Sequence, residues 1–160
     1  MREPESLHLT ANDGYRLAAT HFFAQGEAKA RIVVAGATAV PQGFYRRFAE
    51  YASTRGYDVI TMDYRGIARS RPAQLKGFRM NLLDWAKRDL AAAIDYLDDG
   101  QLPLYYIGHS YGGHALGLLP RPNDISAAYL FGTGAGWHGW MPAPERYKIL
   151  FAWKILLPVL

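Results

Sequence analysis

Short apolar runs without alternating polar residues recur along this sequence, and segments with helical periodicity separate them. The clearest are residues 31–36, 58–62 and 104–107. A strand that lacks polar alternation is buried on both faces, which is typical of a parallel sheet. Parallel neighbours need right-handed crossover connections, which the intervening helices can supply. The pattern predicts an α/β fold with a mostly parallel sheet and helices on both faces.

The other predicted elements surround these strands. Residues 7–10 and 15–24 form an expected antiparallel pair around the turn Asn12-Asp13-Gly14, and residues 125–131 form a last strand. Helices are predicted at 44–55, at 81–98, from Ser110 to near Pro120, and at 145–157. The expected apolar face of the first helix is Phe44, Phe48, Tyr51 and Ala52, and that of the second is Trp85, Leu90, Ile94 and Leu97.

Composition excludes several classes of protein. The chain has 160 residues, a formal net charge of +4 and no cysteine, so neither a disulfide framework nor thiolate chemistry is possible. A basic cluster suggests a nucleic-acid groove, but no base-stacking motif accompanies it, and a solvated basic loop is favoured. The polar N-terminus lacks the apolar segment of a secretory signal, which predicts a cytoplasmic protein. The basic cluster comprises Arg65, Arg69, Arg71, Lys76 and Arg79.

The strongest chemical signal is the pentapeptide Gly108-His109-Ser110-Tyr111-Gly112, followed by Gly113. The G-x-S-x-G pattern alone arises by chance in many chains, and an incidental serine in a glycine-rich turn would also produce it. Here it directly follows an apolar strand and opens a short helix, which is the setting in which a serine hydroxyl projects from a strained turn. Ser110 is therefore predicted to be a nucleophile, with Gly108, Gly112 and Gly113 permitting the tight turn.

Acyl transfer also requires two backbone N–H groups directed at the developing oxyanion. Tyr111, the residue after the serine, is expected to supply one of them. The loop after the strand at residues 31–36 should supply the other, and Ala37 is best placed there. An ordinary turn between strand and helix is the alternative reading of that loop.

With these motifs the chain resembles the α/β-hydrolase family, particularly its lipase-like and serine-aminopeptidase-like members. The segment Asp63-Tyr64-Arg65-Gly66-Ile67-Ala68-Arg69-Ser70 is similar to the family's D-x-R-G-x-G-x-S loop, with Ala68 where glycine is usual. Ala35 replaces the common histidine of an H-G pair. The resemblance implies a strand order of 1-2-4-3-5-6, with the C-terminal strands of the family fold missing and the sixth strand left as an exposed edge that could pair with another chain.

The resemblance also implies a triad acid and histidine beyond a cap domain, and neither position exists in this sequence. His114 and His138 are the histidines downstream of Ser110, and neither is expected to act as its base. Asp124 opens the last strand at the wrong end of the sheet. His8, His21 and His109 are not expected to reach the hydroxyl, and no pair of histidines has metal-ligand spacing. No metal and no cofactor are predicted.

Residues 1–136 are predicted to form the N-terminal part of the hydrolase core, and residues 137–160 the hinge and the start of the cap helix. The apolar segment 149–160 is too short to span a bilayer, which needs about 20 residues. It could mediate weak membrane association or self-association, although a cap helix over an acyl pocket is preferred.

Two functions stay open. The first is a serine hydrolase of carboxylic esters or small amides that works through an acyl-enzyme on Ser110 and is incomplete in this form. The second is a non-catalytic module that binds a ligand, a partner or a membrane. No nucleic-acid partner is expected.

Overall fold

Six strands form one sheet in the computed structural model, which describes residues 2–134 and 138–156. The spatial order is β1-β2-β4-β3-β5-β6, as predicted. Strands β3, β4, β5 and β6 run parallel, while β2 is antiparallel to both β1 and β4. The strands are β1 (Glu5–Thr10), β2 (Arg16–Phe22), β3 (Ala30–Ala35), β4 (Tyr57–Met62), β5 (Leu104–His109) and β6 (Ala127–Phe131).

Helices cover both faces of this sheet, which confirms the α/β-hydrolase architecture. The helix α1 (Arg46–Thr54) follows a 3₁₀ turn at Gln42–Tyr45 and packs on one face. The opposite face carries a continuous helical stretch made of α2 (Leu82–Asp84), a π segment (Trp85–Leu90) and α3 (Ala91–Leu97). On that face lies also α4 (Tyr111–Ala115), which continues as a 3₁₀ turn at Leu116–Leu118. Further 3₁₀ turns lie at Ala68–Ser70, Pro122–Asp124 and His138–Trp140.

The predicted apolar face of the second helix is confirmed. Trp85 and Leu90 are both buried although they lie five positions apart, a spacing that an α-helix would turn away from a single face. The π segment accommodates this spacing because its turn is wider than that of an α-helix. Ile94 and Leu97 continue the buried face through α3.

The predicted apolar face of α1 is wrong for its three aromatic residues, and only Ala52 is buried as expected. Tyr45, Ala49 and Ala52 are the buried residues, whereas Phe44 and Tyr51 are 68% and 60% exposed. Two alanines on the inner side allow the helix to approach the sheet closely, and this packing outweighs the larger apolar area of the aromatic side chains. Helical periodicity was present, but it did not identify which side faces the sheet.

A final helix, α5 (Ala143–Phe151), begins after Pro142 and continues as a π segment at Ala152–Leu156. The predicted boundary between the core at residues 1–136 and the hinge and cap at 137–160 falls on residues outside the described ones, as do residues 157–160 of the apolar C-terminal segment. Among the helices of the described ranges, none is long and apolar enough to cross a membrane.

Candidate active site

The backbone of Ser110 is strained, as expected for a strand-to-helix turn that exposes its side chain. Ser110 lies between the last residue of β5 and the first residue of α4, with φ 51° and ψ −111°. An L-residue with positive φ costs about 1–2 kcal/mol, so the surrounding structure must hold it. Its N–H donates to Phe131 O at 3.0 Å, and its carbonyl accepts from the Gly113 N–H at 3.0 Å. The side chain is half-buried, and its Oγ bonds to none of the described residues.

Three glycines permit this turn because side chains would not fit there. A Cβ on Gly108 would lie 2.9 Å from the backbone of Gly113, and one on Gly112 would lie 2.0 Å from Ala35 O. At Gly113 the added atom would meet Thr133 Oγ1 at 1.9 Å. These close approaches place α4 against the ends of β3 and β6 and leave no room for a side chain at the three positions.

The two candidate oxyanion donors differ in availability. Tyr111 is the first residue of α4, so its N–H has no acceptor within the helix. Ala37 is buried, and its N–H donates to the hydroxyl of Tyr45 at 2.8 Å. An oxyanion could use the Ala37 amide only by displacing that hydroxyl. This hydrogen bond was not anticipated from the sequence.

Tyr45 also connects the Ala37 loop to the residue before Ser110. Its Oη lies 2.9 Å from His109 Nδ1. The His109 ring stacks on Phe131 at a centroid distance of 4.6 Å. Its contact with Tyr45, which packs with α1, places the imidazole on the α1 face of the sheet. Burial raises the pKa of Tyr45, which keeps its hydroxyl protonated at neutral pH. His109 is therefore a structural neighbour of the turn and does not contact the Ser110 hydroxyl.

The Tyr111 side chain anchors the start of α4. Its ring packs edge-on against Trp85 at 5.2 Å and Tyr64 at 5.8 Å, and its hydroxyl donates to Leu82 O. Burial raises the pKa of Tyr111 to about 12. The side chain therefore fixes the direction of the adjacent backbone amide.

The D-x-R-G loop is held by buried polar contacts. The Asp63 carboxylate accepts hydrogen bonds from Gln42 N at 2.7 Å and Arg69 N at 3.3 Å. Arg65 is buried and bonds to Asp13 and Asp89. Burial opposes the charge of Arg65, but hydrogen bonds to the two carboxylates outweigh it and hold the arginine's pKa above its usual range.

The backbone conformation at Ala68 shows why glycine is usual at this position of the loop. Its φ is 40°, in the left-handed region that favours glycine. Ser70, two residues later, closes the loop because its Oγ donates to Asp63 O and accepts from Ala18 N. The loop is thus retained despite a strained alanine.

No hydrogen bond among the described residues joins the remaining candidates to the Ser110 hydroxyl. His114 is exposed on α4, and His138 lies in its own 3₁₀ turn. Asp124 precedes β6, at the end of the strand opposite Ser110, and pairs with Arg121 at 3.0 Å. His8 and His21 lie on β1 and β2. In the described part of the chain no group of three or more potential metal ligands occurs.

The best-formed cavities among the described residues do not include Ser110. The best-formed cavity, about 430 Å³ in volume, lies between the N-terminal segment, β2, β4 and the start of α1. Ser110 lines neither this cavity nor the next four.

Three solved structures of similar fold are described as hydrolases or esterases. An α/β hydrolase from Penicillium matches with TM-score 0.65 and 19% identity over 81% of this chain and 45% of its own. A thermostable carboxyl esterase from Bacillus coagulans matches with TM-score 0.68 and 17% identity over 98% and 51%. The mouse α/β hydrolase domain-containing protein 10 matches with TM-score 0.65 and 20% identity over 91% and 58%. This chain thus spans about half the length of these relatives.

No curated protein sequence matches the chain. The family model described as serine aminopeptidase, S33, matches residues 26–157, which include β3 to α5 and the turn at Ser110. Because the three structures share only 19%, 17% and 20% sequence identity with this chain, they show the fold alone. The family model and the sheet order agree, and the chain belongs to the α/β-hydrolase family.

Proposed function

We propose that this chain carries the nucleophile of a serine hydrolase that cleaves carboxylic esters or small amides. The observation that carries the proposal is the strained backbone of Ser110, with a hydroxyl that bonds to no described residue. Holding an L-residue at positive φ costs stability and is common where a site requires one orientation. A serine that only capped a helix would bond its hydroxyl back to the chain.

In the proposed reaction Ser110 Oγ attacks the acyl carbon of the substrate, and the hydroxyl proton passes to a base. The bond from the acyl carbon to the leaving oxygen or nitrogen then breaks, and the leaving group takes up a proton. Water hydrolyses the acyl-enzyme and regenerates the serine. The Tyr111 amide would bind the oxyanion, and Ala37 would join it once its N–H is released from Tyr45.

Because Ser110 Oγ has no basic partner among the described residues, we expect almost no turnover of short-chain p-nitrophenyl esters by the 160-residue chain. Loss of the base in a serine protease costs about 10⁶-fold in turnover and leaves about 10³–10⁴-fold over water. Robust hydrolysis that depends on Ser110 would contradict this expectation. It would mean that His114, His138 or a second chain supplies the base.

The nucleophile itself can be tested without turnover. An alkyl fluorophosphonate, with imidazole added as an external base, should label Ser110, and peptide mass spectrometry locates the adduct. Ser110→Ala should remove the label, whereas Ser6→Ala, at an exposed serine on β1, should keep it. A label that persists in Ser110→Ala would exclude the proposed nucleophile.

A non-catalytic binding module is the second candidate. The hydrogen bond from the Ala37 N–H to Tyr45 favours it, because that bond occupies one of the two candidate oxyanion donors. A chain of this kind would fold normally, and Ser110 would show no more labelling than other serines.

A further inference from the structure

The segment from Arg69 to Leu83, here called the basic loop, displays unpaired positive charge. It contains four cations, Arg69, Arg71, Lys76 and Arg79, and no acidic residue. All four side chains are exposed, and none forms an ion pair within the described residues. Arg65, just before the loop, differs because it is buried between two carboxylates. The loop therefore carries a net positive surface that its own protein does not neutralise.

Apolar side chains project from the same loop. Leu75, Leu82 and Leu83 are 54%, 52% and 44% exposed. Leu75 starts a tight turn in which the Phe78 N–H donates to Leu75 O at 3.0 Å and Gly77 has φ 83°. Leu82 and Leu83 lie in the first turn of α2. The loop thus combines exposed leucines with cations.

Capping and core contacts fix this display. The Asn81 side chain accepts from the Leu83 N–H at 2.8 Å, and Asp84 Oδ2 accepts from the Asn81 N–H at 2.9 Å. This capping box uses the nearest acid and holds the two leucines at the start of the helix. On the inner side, the Phe78 ring contacts Tyr15 at 5.8 Å. The capping box and the Phe78 contact hold the backbone in a conformation that leaves the leucines exposed.

The loop also lies beside the candidate active site. The Tyr111 hydroxyl bonds to Leu82 O, and Tyr111 directly follows Ser110. Any surface that contacts Leu82 and Leu83 would therefore approach the turn that carries Ser110. The charge and the exposed leucines of the loop do not depend on whether Ser110 is catalytic.

We propose that the basic loop docks onto an anionic lipid bilayer. Each Lys or Arg near an anionic membrane surface strengthens binding by about fivefold, so four of them give substantial attraction. The exposed leucines of the same loop would enter the boundary between headgroups and acyl chains. Nucleic acid fits less well, because binding of single strands relies on exposed aromatic rings and the loop's Phe78 is packed against Tyr15.

Vesicle co-sedimentation of the 160-residue chain tests the charge. We expect binding to phosphatidylcholine vesicles with about 30 mol % phosphatidylglycerol at about 50 mM salt, and its loss at about 500 mM. Pure phosphatidylcholine should bind weakly. Arg71→Gln with Arg79→Gln should weaken binding about 25-fold, whereas Lys29→Gln with Arg47→Gln, an equal charge loss outside the loop, should change it less than about threefold. Absence of binding to the anionic vesicles, or equal effects of both pairs, would overturn the proposal.

A second arm tests the leucines and the competing partners. Leu75→Ser should weaken vesicle binding several-fold, while Tyr51→Ser, at an equally exposed position on α1, should not. Thermal unfolding of each variant checks that the fold is retained. If a poly(U) oligonucleotide binds as tightly as the vesicles and Leu75→Ser has no effect, the surface is a nucleic-acid site. If Phe151→Ser abolishes vesicle binding and Leu75→Ser does not, the membrane contact belongs to α5. Either result would reject the basic loop as a lipid-docking surface.

Discussion

Gly112 is the position where a single added methyl group should perturb the turn at Ser110 most. A Cβ there would lie 2.0 Å from Ala35 O and 2.6 Å from the Ala35 carbonyl carbon. Both atoms belong to the backbone of β3, which the sheet holds between β4 and β5. Carbon and oxygen atoms in contact are normally separated by about 3.3–3.6 Å. In Gly112→Ala, α4 must therefore withdraw from β3 by more than about 1 Å.

The cost should lie at the upper end of the range for an overpacked core. Such insertions cost about 1–3 kcal/mol, and a rigid backbone obstacle favours about 3 kcal/mol. For a chain of this length, 1 kcal/mol corresponds to a shift of about 2–4 °C in Tm, so we expect a Tm lower by about 6–12 °C. Circular dichroism or scanning calorimetry measures this shift.

Gly117→Ala is the matched control, because no atom lies within 4 Å of the position that its Cβ would take. Alanine there should raise the free energy of unfolding by about 0.4–1 kcal/mol through the unfolded state. If Gly112→Ala and Gly117→Ala have the same Tm, α4 does not approach β3 as closely as described. Withdrawal of α4 should also slow fluorophosphonate labelling of Ser110, since the Tyr111 amide would move away from the Ala37 loop.

Two further predictions concern strain and pH. Ala68 has a φ of 40°, so Ala68→Gly should relieve backbone strain. This relief should outweigh the added entropy of the unfolded chain and raise Tm by roughly 1–4 °C. Ala73→Gly, at a residue without positive φ, should instead lower Tm. Burial lowers the pKa of His21 from 6.5, although the nearby Asp58 opposes this shift. As pH falls, the imidazole is therefore protonated at a higher pH in the unfolded chain than in the folded one. The free energy of unfolding should therefore fall as pH drops below about 6.5, and it should fall less in His21→Gln. Urea unfolding at several pH values measures this difference. An identical pH dependence of the original chain and His21→Gln would contradict it.

The sequence alone determined the class of fold and the position of the strand-to-helix turn at Ser110. Apolar runs without polar alternation, such as residues 31–36, indicate parallel strands, because a strand buried on both faces carries apolar residues at successive positions. The turn at Ser110 could also be predicted, because its pentapeptide directly follows an apolar strand and opens a helix. The contacts that require Gly112 and Gly113 are with Ala35 and Thr133, which only the folded chain brings close. The order of the six strands was correct, but it came from resemblance to a family and not from the strands themselves.

Tertiary structure decided what local patterns leave open. Both sides of α1 carry apolar residues, and the sheet selected Ala49 and Ala52 because small side chains allow the closer approach. Likewise, the hydrogen bond between the Ala37 N–H and Tyr45 joins a loop to a turn whose position depends on how α1 packs. Periodicity reports the neighbours of a residue along the chain, whereas the buried face of a helix and the partner of a loop amide depend on surfaces that meet only after folding.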